Sequence, residues 1–357
     1  MKTKLVYVLT CAPEATFVEQ ALMAVYSARY YNPNAYIVLI VDDLTDQLFT
    51  GSRAEILKYI SEKVVVSFDD ASLTPMYRSR WIKTSVRQLI EGDMIFIDCD
   101  TICQRPLNEI DTFECEVGAV PDSHLHIADF CESLMDTTTR RLTAIGMDVD
   151  KEEIYYSSGV IYAKDTPIAH KIYELWHAYW LQSCAIGMPN DQPSFAKANS
   201  DAGHPICTIP DSYNCIVFTQ PPFMYEAHIL HISSYRNPSF LYTERVLRFA
   251  KEVGMSNEWL CKMALHPCAT IMPFDYNIKH STCQGRRKWR RELADAWKGY
   301  GENIDKTFAE FPIQSRFSRV VKGLLRKKQY RLAMVVWMLW KRVRLRRKEV
   351  KYNVCAK

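Results

Sequence analysis

The stretch Met94-Ile95-Phe96-Ile97-Asp98-Cys99-Asp100 decides the fold class, because four apolar residues are followed directly by two carboxylates. An uninterrupted apolar run of this kind predicts a strand that is buried on both faces, as in a parallel sheet. Upstream of it, from Lys4 onward, similar runs alternate with segments of helical spacing. This alternation favours βαβ units with right-handed crossovers. We therefore predict an α/β fold with a mixed, mostly parallel sheet that is flanked by helices.

The predicted elements follow this alternation along the chain. Besides residues 94–97, strands are predicted at Lys4–Thr10, Tyr36–Val41, Lys63–Phe68, Ser158–Ala163 and Ala227–Ile232. Helices are predicted at Thr16–Tyr31, Ser52–Ser61, Arg78–Ile90, Thr166–Leu181 and Asp191–Ala198, and Phe249–Tyr300 is mostly helical in pattern. The order predicts a main domain over residues 1–248, a helical C-terminal subdomain over 249–315 and a basic amphipathic tail over 316–357.

The charges and cysteines restrict the class of protein. The net charge of +4 combines −10 over residues 1–315 with +14 over residues 316–357. The twelve cysteines include no CxxC pair, and the apolar run Leu5–Leu9 is too short for a signal-peptide core. We therefore expect reduced cysteines and a cytoplasmic location. No stretch reaches the roughly 18 to 20 consecutive apolar residues that a membrane span requires.

The basic tail has a composition of its own. Basic clusters flank the apolar stretch Ala333–Trp340, which contains Trp337 and Trp340. Such a helix suits the anionic interface of a bilayer, and a tryptophan-rich face has no use on a phosphate backbone. We therefore predict peripheral binding to the inner face of a membrane and no nucleic-acid partner. The alternative is an ordinary amphipathic helix that packs on the rest of the protein.

The two carboxylates after the strand are candidates for metal binding. In extended geometry, residues two apart point the same way, so Asp98 and Asp100 can face one ion together. Hard oxygen ligands suit Mg²⁺ or Mn²⁺, which also bind substrate phosphates. Ligands of parallel α/β sheets bind beyond the carboxyl ends of the strands, where these residues lie. The alternative is a solvated turn, which is the commoner role of an isolated Asp-x-Asp.

Other polar residues lie at the ends of predicted elements. Arg80 and Lys83 on the helix before the strand are cations that can meet phosphates, although a charged helix face is usually only solvated. Asp191 opens a short helix, where an N-cap is its commonest role. His231 is a lone imidazole on an apolar strand, which favours a structural role unless the fold returns it to the carboxylates.

The order of these segments resembles the retaining glycosyltransferases of family eight, which have the GT-A fold and include lipopolysaccharide galactosyl- and glucosyltransferases and glycogenin. The resemblance covers roughly residues 3–240 and rests on SRWIKTSVRQLIEGDMIFIDCD (79–100), AVPDSH (119–124), YYSSGVIYA (155–163), MPNDQPSF (188–195), IPDSYN (209–214) and HILHIS (228–233). It implies a metal-dependent, retaining enzyme that moves a hexose from a nucleotide-diphosphate sugar, a UDP-sugar, to a glycan or lipid-linked acceptor. Such enzymes build lipopolysaccharide or other cell-surface polysaccharides.

The resemblance also implies roles for individual residues. Asp98, Asp100 and His231 match the ligands of the Mn²⁺ or Mg²⁺ ion. Asp191 and Gln192 match the catalytic pair beside the anomeric carbon. The positions that match donor-binding residues are Thr10, Arg80, Lys83, Asp122, Ser157 and Arg236.

The sequence departs from the family pattern at two places. The first loop reads Thr10-Cys11-Ala12-Pro13 instead of the residues that hold uridine, and Arg236 stands near where the family has a diphosphate-binding lysine. These departures motivate one alternative, a non-catalytic, membrane-associated protein that binds carbohydrate or nucleotide sugar with the same fold. A sugar-nucleotide pyrophosphorylase is a further alternative, but it needs a glycine-rich loop after the first strand, and residues 10–16 contain no glycine.

Overall fold

Two sheets organise the protein in the computed structural model, which describes residues 1–70, 72–130, 132–149, 154–217, 221–232, 241–271, 294–295, 297–302, 316–337 and 339. The strands are β1 Lys4–Leu9, β2 Ile37–Asp42, β3 Glu62–Val66, β4 Met94–Ile97, β5 Thr101–Cys103, β6 Val117–Pro121, β7 Tyr156–Ala163, β8 Ile206–Thr208, β9 Cys215–Ile216 and β10 Ile229–His231. The α-helices are α1 Phe17–Tyr31, α2 Asp43–Asp46, α3 Pro75–Leu89, α4 Glu132–Ala144, α5 Pro167–Ala185, α6 Asp191–Asp201, α7 Glu244–Val253, α8 Glu258–Leu265 and α9 Arg316–Arg326.

The main sheet has seven strands in the order β3-β2-β1-β4-β7-β6-β8. Only β7 runs against the others, pairing antiparallel with β4 and β6, so the predicted mixed and mostly parallel sheet is confirmed. The chain leaves β1 toward β2 and β3 and then crosses to β4 on the other side of β1. The edge beyond the carboxyl ends of β1 and β4 is therefore a topological switch point, where open α/β sheets bind ligands.

Both faces of the main sheet are covered, and successive strand residues alternate between two cores. On β1, Leu5 and Tyr7 belong to the core that contains α1, α7 and α8, whereas Val6 and Val8 belong to the core that contains α3, α5 and α6. All six residues of β2 are buried. The continuous apolar runs of the sequence reflect this burial on both sides, because neither strand face meets water.

The small sheet brings distant segments of the chain to the switch point. β10 pairs antiparallel with β5 and parallel with β9, and the three strands have only two or three residues each. β5 follows β4 after a turn of three residues, so the small sheet starts at the switch point of the main sheet.

Among the predicted helices, one differs in type and another begins earlier than predicted, and β5, β6, β8, β9, α2 and α4 were not predicted at all. The predicted helix Ser52–Ser61 is instead a 3₁₀ helix, Gly51–Lys58, a short segment that tertiary contacts hold: Arg53 forms a buried ion pair with Glu19, with 2.6 Å between Nε and Oε1. Helix α3 begins at Pro75, three residues before the predicted start. Its cap is Thr74, whose hydroxyl accepts the Tyr77 amide hydrogen, and proline suits the first turn of a helix.

Helices α7 and α8 pack on the core of the main sheet. α7 spans the predicted boundary at residues 248/249, and its Val246 and Leu247 belong to the same core as strand β1. The division into domains stays a prediction. Farther along, Val321 and Leu325 of α9 pack against Trp297 and Tyr300. Among the described residues, no helix is both long and apolar enough to cross a membrane.

Candidate active site

A tight turn between the two sheets holds the two carboxylates. The Asp98 amide donates a hydrogen bond to the carbonyl oxygen of Gly159 on β7, at 2.8 Å. The Thr101 hydroxyl donates to the carbonyl oxygen of Asp98, also at 2.8 Å, and leads the chain into β5. The turn therefore fixes the backbone of Asp98 and Asp100 at the switch point, where their side chains remain partly exposed.

His231 returns to this turn on the small sheet. It lies opposite Thr101 in the β5–β10 ladder, and the amide of Ile232 donates to the carbonyl oxygen of Asp100 at 2.8 Å. Nε2 of His231 lies 3.2 Å from Oδ1 of Asp100. One ligand atom each from Asp98, Asp100 and His231 lie within 4.8 Å of one another. The fold thus brings the three predicted ligands together, and two carboxylates with one imidazole suit Mn²⁺ or Mg²⁺.

Gly159 has no side chain, and this leaves room for the candidate metal ligands next to β7. A Cβ atom added at Gly159 would lie 2.3 Å from Cε1 of His231 and 3.1 Å from Oδ2 of Asp98. The first distance is far below van der Waals contact, and the imidazole is held in place by its contacts with Asn214 and Asp100. Only glycine therefore permits β7 to pass directly behind the side chains of Asp98 and His231.

Lys83 links the candidate metal ligands to Asp191. Its Nζ lies 3.1 Å from Oδ1 of Asp98 and 3.2 Å from Oδ2 of Asp191, and Arg80 Nε lies 3.3 Å from Oδ1 of Asp191. Both cations come from α3, on the helix turns that face the switch point. The predicted donor-binding cations and the predicted catalytic carboxylate therefore lie in one cluster.

The charges of this cluster shift the pKa values of its members. Burial raises the pKa of Asp98, and Lys83 opposes the rise only in part. Burial would also raise the pKa of Asp100, but the neighbouring His231 outweighs burial and lowers it. Although burial acts to lower the pKa of His231, the carboxylate of Asp100 raises it above its ordinary value. The pKa of Lys83 is likewise raised, because Asp191 and Asp98 outweigh burial.

Asp191 is the first residue of α6, but its side chain does not cap the helix. Its Oδ2 accepts a hydrogen bond from the hydroxyl of Ser158 at 2.9 Å, and its carbonyl oxygen accepts one from the Trp176 indole at 2.9 Å. Burial would raise the pKa of Asp191, yet Lys83 and Arg80 outweigh burial and lower that pKa to about 2. The carboxylate is therefore ionised at any physiological pH.

Gln192 follows Asp191 on the same helix turn. Its Nε2 is buried and has no hydrogen-bond partner among the described residues. Buried amide nitrogens are almost always paired in native proteins. The unpaired amide nitrogen of Gln192, next to Asp191, is therefore suited to donate a hydrogen bond to a bound molecule.

The structure also shows hydrogen bonds of three other residues predicted to bind the donor, Thr10, Asp122 and Ser157. The Thr10 hydroxyl, at the end of β1, donates to the carbonyl oxygen of Pro75 at 2.5 Å. Asp122 follows β6 at the same sheet edge, and its amide donates to the carbonyl oxygen of Tyr155 at 2.7 Å. The buried Ser157 hydroxyl accepts hydrogen bonds within the protein, and Arg236 lies outside the described residues.

Three residues of the cluster received no role from the sequence. Ser158 contacts Asp191, Gly159 makes room for the ligands, and Asn214 accepts at 2.9 Å from the ring Nδ1 of His231. All three lie in segments that carried the family resemblance, 155–163 and 209–214. Glycine at a strand interior was the one available signal, since it often marks close approach of another group.

Solved structures of glycosyltransferases match the fold at low identity. Mouse xyloside xylosyltransferase 1 is 12% identical with a TM-score of 0.43, and the match covers 65% of this chain and 98% of that one. The galactosyltransferase LgtC, with donor and acceptor sugar analogs, is 12% identical with a TM-score of 0.49, covering 81% and 100%. An active-site mutant of LgtC gives 12% and 0.49, covering 72% and 99%. No protein family and no curated protein matches the sequence.

Proposed function

We propose that the protein is a metal-dependent, retaining glycosyltransferase that moves a hexose from a UDP-sugar to a glycan or lipid-linked saccharide. One observation carries the proposal: Asp98, Asp100 and His231 meet within 4.8 Å at the switch point, next to the Lys83–Asp191 pair. A site for a cation beside two fixed positive charges fits a diphosphate, and an ionised carboxylate beside it fits a sugar that develops positive charge.

The ligand group fits a hard divalent ion. Its donors are two carboxylates and one imidazole, each with its side chain partly accessible, so that water or phosphate oxygens can complete the coordination. The ion held by Asp98, Asp100 and His231 would be Mn²⁺ or Mg²⁺. It would neutralise negative charge on the leaving diphosphate.

The other residues of the cluster bind and orient the donor. Lys83 and Arg80 place two positive charges on the side of α3 where the phosphates approach. Asp191 stays ionised and stabilises the positive charge that forms on the anomeric carbon, and the Gln192 amide donates to a sugar or phosphate oxygen. The bond from the anomeric carbon to the phosphate oxygen breaks, the acceptor oxygen bonds to that carbon on the same face, and the acceptor proton passes to the leaving phosphate.

The test is a calorimetric titration of nucleotide sugars with Mn²⁺ and again with a chelator. We expect one donor to bind only with metal, and Asp100→Asn to abolish that binding, because the carboxylate is lost without a change of shape. Asp201→Asn is the matched control, since Asp201 is an aspartate of α6 that pairs with Lys197 at the surface. Donor binding that is equal with and without metal contradicts the proposal.

Transfer activity separates the enzyme from a non-catalytic binding protein. The reaction is followed with the donor identified above and a panel of saccharide and lipid-linked acceptors, and we expect the product to keep the anomeric configuration of the donor. An inverted product contradicts the retaining mechanism. Donor binding without transfer or hydrolysis supports the binding protein instead.

The tail adds a proposed location on the inner, anionic surface of a membrane. Its described part exposes several basic residues together with Leu332, Val335 and Leu339; the basic residues are Arg319, Arg326, Lys327, Lys328 and Arg331. Its other side packs on the protein, and the rings of Trp337 and Trp297 lie 6.3 Å apart. Trp337 thus lies on the side that packs on the protein, as the alternative of an ordinary amphipathic helix predicts. We assign the exposed side to the membrane.

Charge reversal tests this location better than deletion, because deletion would uncover the packed side. Arg326, Lys327 and Lys328 are changed together to Glu, and binding to phosphatidylglycerol vesicles is measured against phosphatidylcholine vesicles. Each basic residue near such a surface contributes about 1 kcal/mol, so we expect a loss of roughly 100-fold. The control changes the exposed Lys2, Lys58 and Lys171 to Glu. Equal losses in both variants contradict a specific role of the tail.

A further inference from the structure

We propose that Asn214 is a positioning residue that determines which ring nitrogen of His231 carries the proton. The inference rests on the proposed metal site and adds a second layer of residues behind it. Asn214 immediately precedes β9, and it reaches His231 across the small sheet. None of its side chain is exposed, so its contacts are made with protein atoms.

The side chain of Asn214 lies between His231 and Ser157. Its Oδ1 is 2.9 Å from Nδ1 of His231, and its Nδ2 donates to the hydroxyl oxygen of Ser157 at 3.1 Å. Ser157 lies on β7 and is 5% exposed; its oxygen also accepts the amide hydrogen of Gly159 at 3.3 Å. Both ends of the buried amide group are therefore paired, as burial demands.

The tautomer of His231 follows from this arrangement. A neutral imidazole has one protonated nitrogen and one with a free lone pair. Nε2 faces Asp100 and the candidate ion, so coordination requires the lone pair on Nε2 and the proton on Nδ1. The Asn214 atom that meets Nδ1 must then be an acceptor, which is the carbonyl oxygen. The amide nitrogen consequently faces Ser157, as the hydrogen bond to the Ser157 hydroxyl requires.

The opposite arrangement would block the ion. If the amide nitrogen of Asn214 faced His231, it would donate to Nδ1 and leave the ring proton on Nε2. That proton would point at Asp100, and Nε2 would then have no lone pair with which to bind a cation. Ligating histidines are generally held in this way by a hydrogen bond to the other nitrogen, and loss of the partner weakens metal binding.

The inference also changes the role of Ser157, which the family resemblance gives to donor binding. The hydroxyl is buried and engaged by Asn214 and Gly159, so it acts on the site through Asn214. Removal of this hydroxyl leaves the Asn214 amide hydrogen without its acceptor. We therefore expect Ser157→Ala to weaken Mn²⁺ binding less than a change at Asn214 itself.

The experiment measures Mn²⁺ affinity by calorimetry and the nitrogen coupling of bound Mn²⁺ by pulsed electron paramagnetic resonance. Asn214→Leu removes the acceptor at similar volume, and we expect affinity to fall roughly 10- to 100-fold, with loss of the imidazole ¹⁴N signal. Asn214→Asp keeps an acceptor for Nδ1–H, so affinity stays within a few-fold of wild type and the signal remains. In the His231→Ala background, Asn214→Leu causes no further loss, because both residues act through one ligand.

The matched control is Asn32→Leu. Asn32 is a buried asparagine whose side chain bonds to the carbonyl oxygen of Ala28 and the amide of Leu107, and we expect it to lower stability without changing Mn²⁺ affinity. Circular dichroism checks that each variant is folded. If Asn214→Leu does not fold, Asn214→Asp decides, and loss of its ¹⁴N signal overturns the inference.

The outcomes separate this inference from the proposed function. Wild-type affinity and signal in Asn214→Leu, together with loss of both in His231→Ala, overturn the role of Asn214 and leave the metal site intact. If the wild-type protein does not bind Mn²⁺, or if His231→Ala binds it as well as wild type, the proposed metal site itself is wrong.

Discussion

Nζ of Lys83 lies 3.2 Å from Oδ2 of Asp191, and this contact joins α3 to α6 beyond the edge of the main sheet. The same nitrogen lies 3.1 Å from Oδ1 of Asp98. One buried ammonium group therefore serves both a candidate metal ligand and the candidate catalytic carboxylate. Its raised pKa keeps it charged at physiological pH, so the two carboxylates are held near each other without strong repulsion.

Removal of this charge is expected to destabilise the fold. Lys83→Met keeps the length of the side chain but leaves two carboxylates without their shared cation, and the loss of one partner of a buried ion pair costs about 3–5 kcal/mol. The free energy of unfolding is measured by urea denaturation in the presence of a chelator. Lys197→Met, which breaks the surface pair with Asp201, serves as the control, with an expected loss below about 1 kcal/mol. Similar losses for both variants would show that Lys83 has no special electrostatic role.

Asp191→Asn tests the role of the ionised carboxylate in catalysis. The amide keeps the shape but cannot stabilise positive charge, so we expect kcat to fall about 100- to 1,000-fold while donor affinity changes little. Initial rates over a range of donor concentrations separate the two quantities. A proportional rise in KM with unchanged kcat would assign Asp191 to donor binding alone.

The depressed pKa of Asp191 also predicts a pH dependence of stability. Because the folded value is about 2 against an ordinary 3.8, the unfolded state binds the proton more readily. The stabilisation, about 2 kcal/mol, is complete above pH 4 and is lost as the pH falls toward 2. Urea midpoints measured from pH 2 to pH 6 should fall more steeply for wild type than for Asp191→Asn. Parallel curves would mean that the carboxylate has no such shift.

Gly159→Ala tests the close approach of β7 to the ligands. The added methyl group would overlap the imidazole of His231, so we expect Mn²⁺ binding to fall by at least about tenfold, comparable to the loss of an orienting contact. Gly118→Ala on β6 is the matched control, because its Cβ would overlap the side chains of Ile209 and Cys115, away from the ligands. We expect both variants to lose stability and only Gly159→Ala to lose metal. Metal affinity that falls equally in both would point to general unfolding.

His177 predicts a second pH dependence, at milder acidity. It lies on α5 and faces α3, where its Nδ1 is 2.7 Å from the Thr84 hydroxyl, and burial lowers its pKa from the ordinary 6.5. As the pH falls below 6.5, the unfolded chain takes up a proton that the folded protein does not, so stability decreases until the folded pKa is reached. His177→Gln should flatten the difference in urea midpoint between pH 7.5 and pH 5. An unchanged difference contradicts the prediction.

The sequence predicts five of the seven strands of the main sheet, because these strands are apolar runs between turns, whereas β6 and β8 were not predicted. Met94–Ile97 was predicted with both ends correct, since Gly92-Asp93 precede it and Asp98 follows it. The mixed sheet, its mostly parallel order and the flanking helices are confirmed. The start of α3 was missed because it was predicted from the spacing of apolar residues. That spacing begins after Thr74 and Pro75, which cap and open the helix.

The contacts that surround the candidate metal ligands could not be predicted from the sequence, for a physical reason. Asn214 meets His231 only because β5, β9 and β10 pair, and strands of two or three residues are too short to show a period. Lys83 and Asp191 similarly meet through the packing of α3, α5 and α6, which no local pattern encodes. The residue types were visible in the sequence, whereas their pairing depends on contacts between distant segments.

The ligands of the candidate metal site come from the two ends of a long stretch of chain, residues 98–100 and residue 231. During synthesis, the nine strands from β1 to β9 are therefore made before the imidazole that completes the group. A chain that stops short of β10 has two carboxylates and no third ligand, and β5 has no partner strand to receive it. In the proposed metal site, all three protein ligands are therefore available only after the chain has been synthesised through β10.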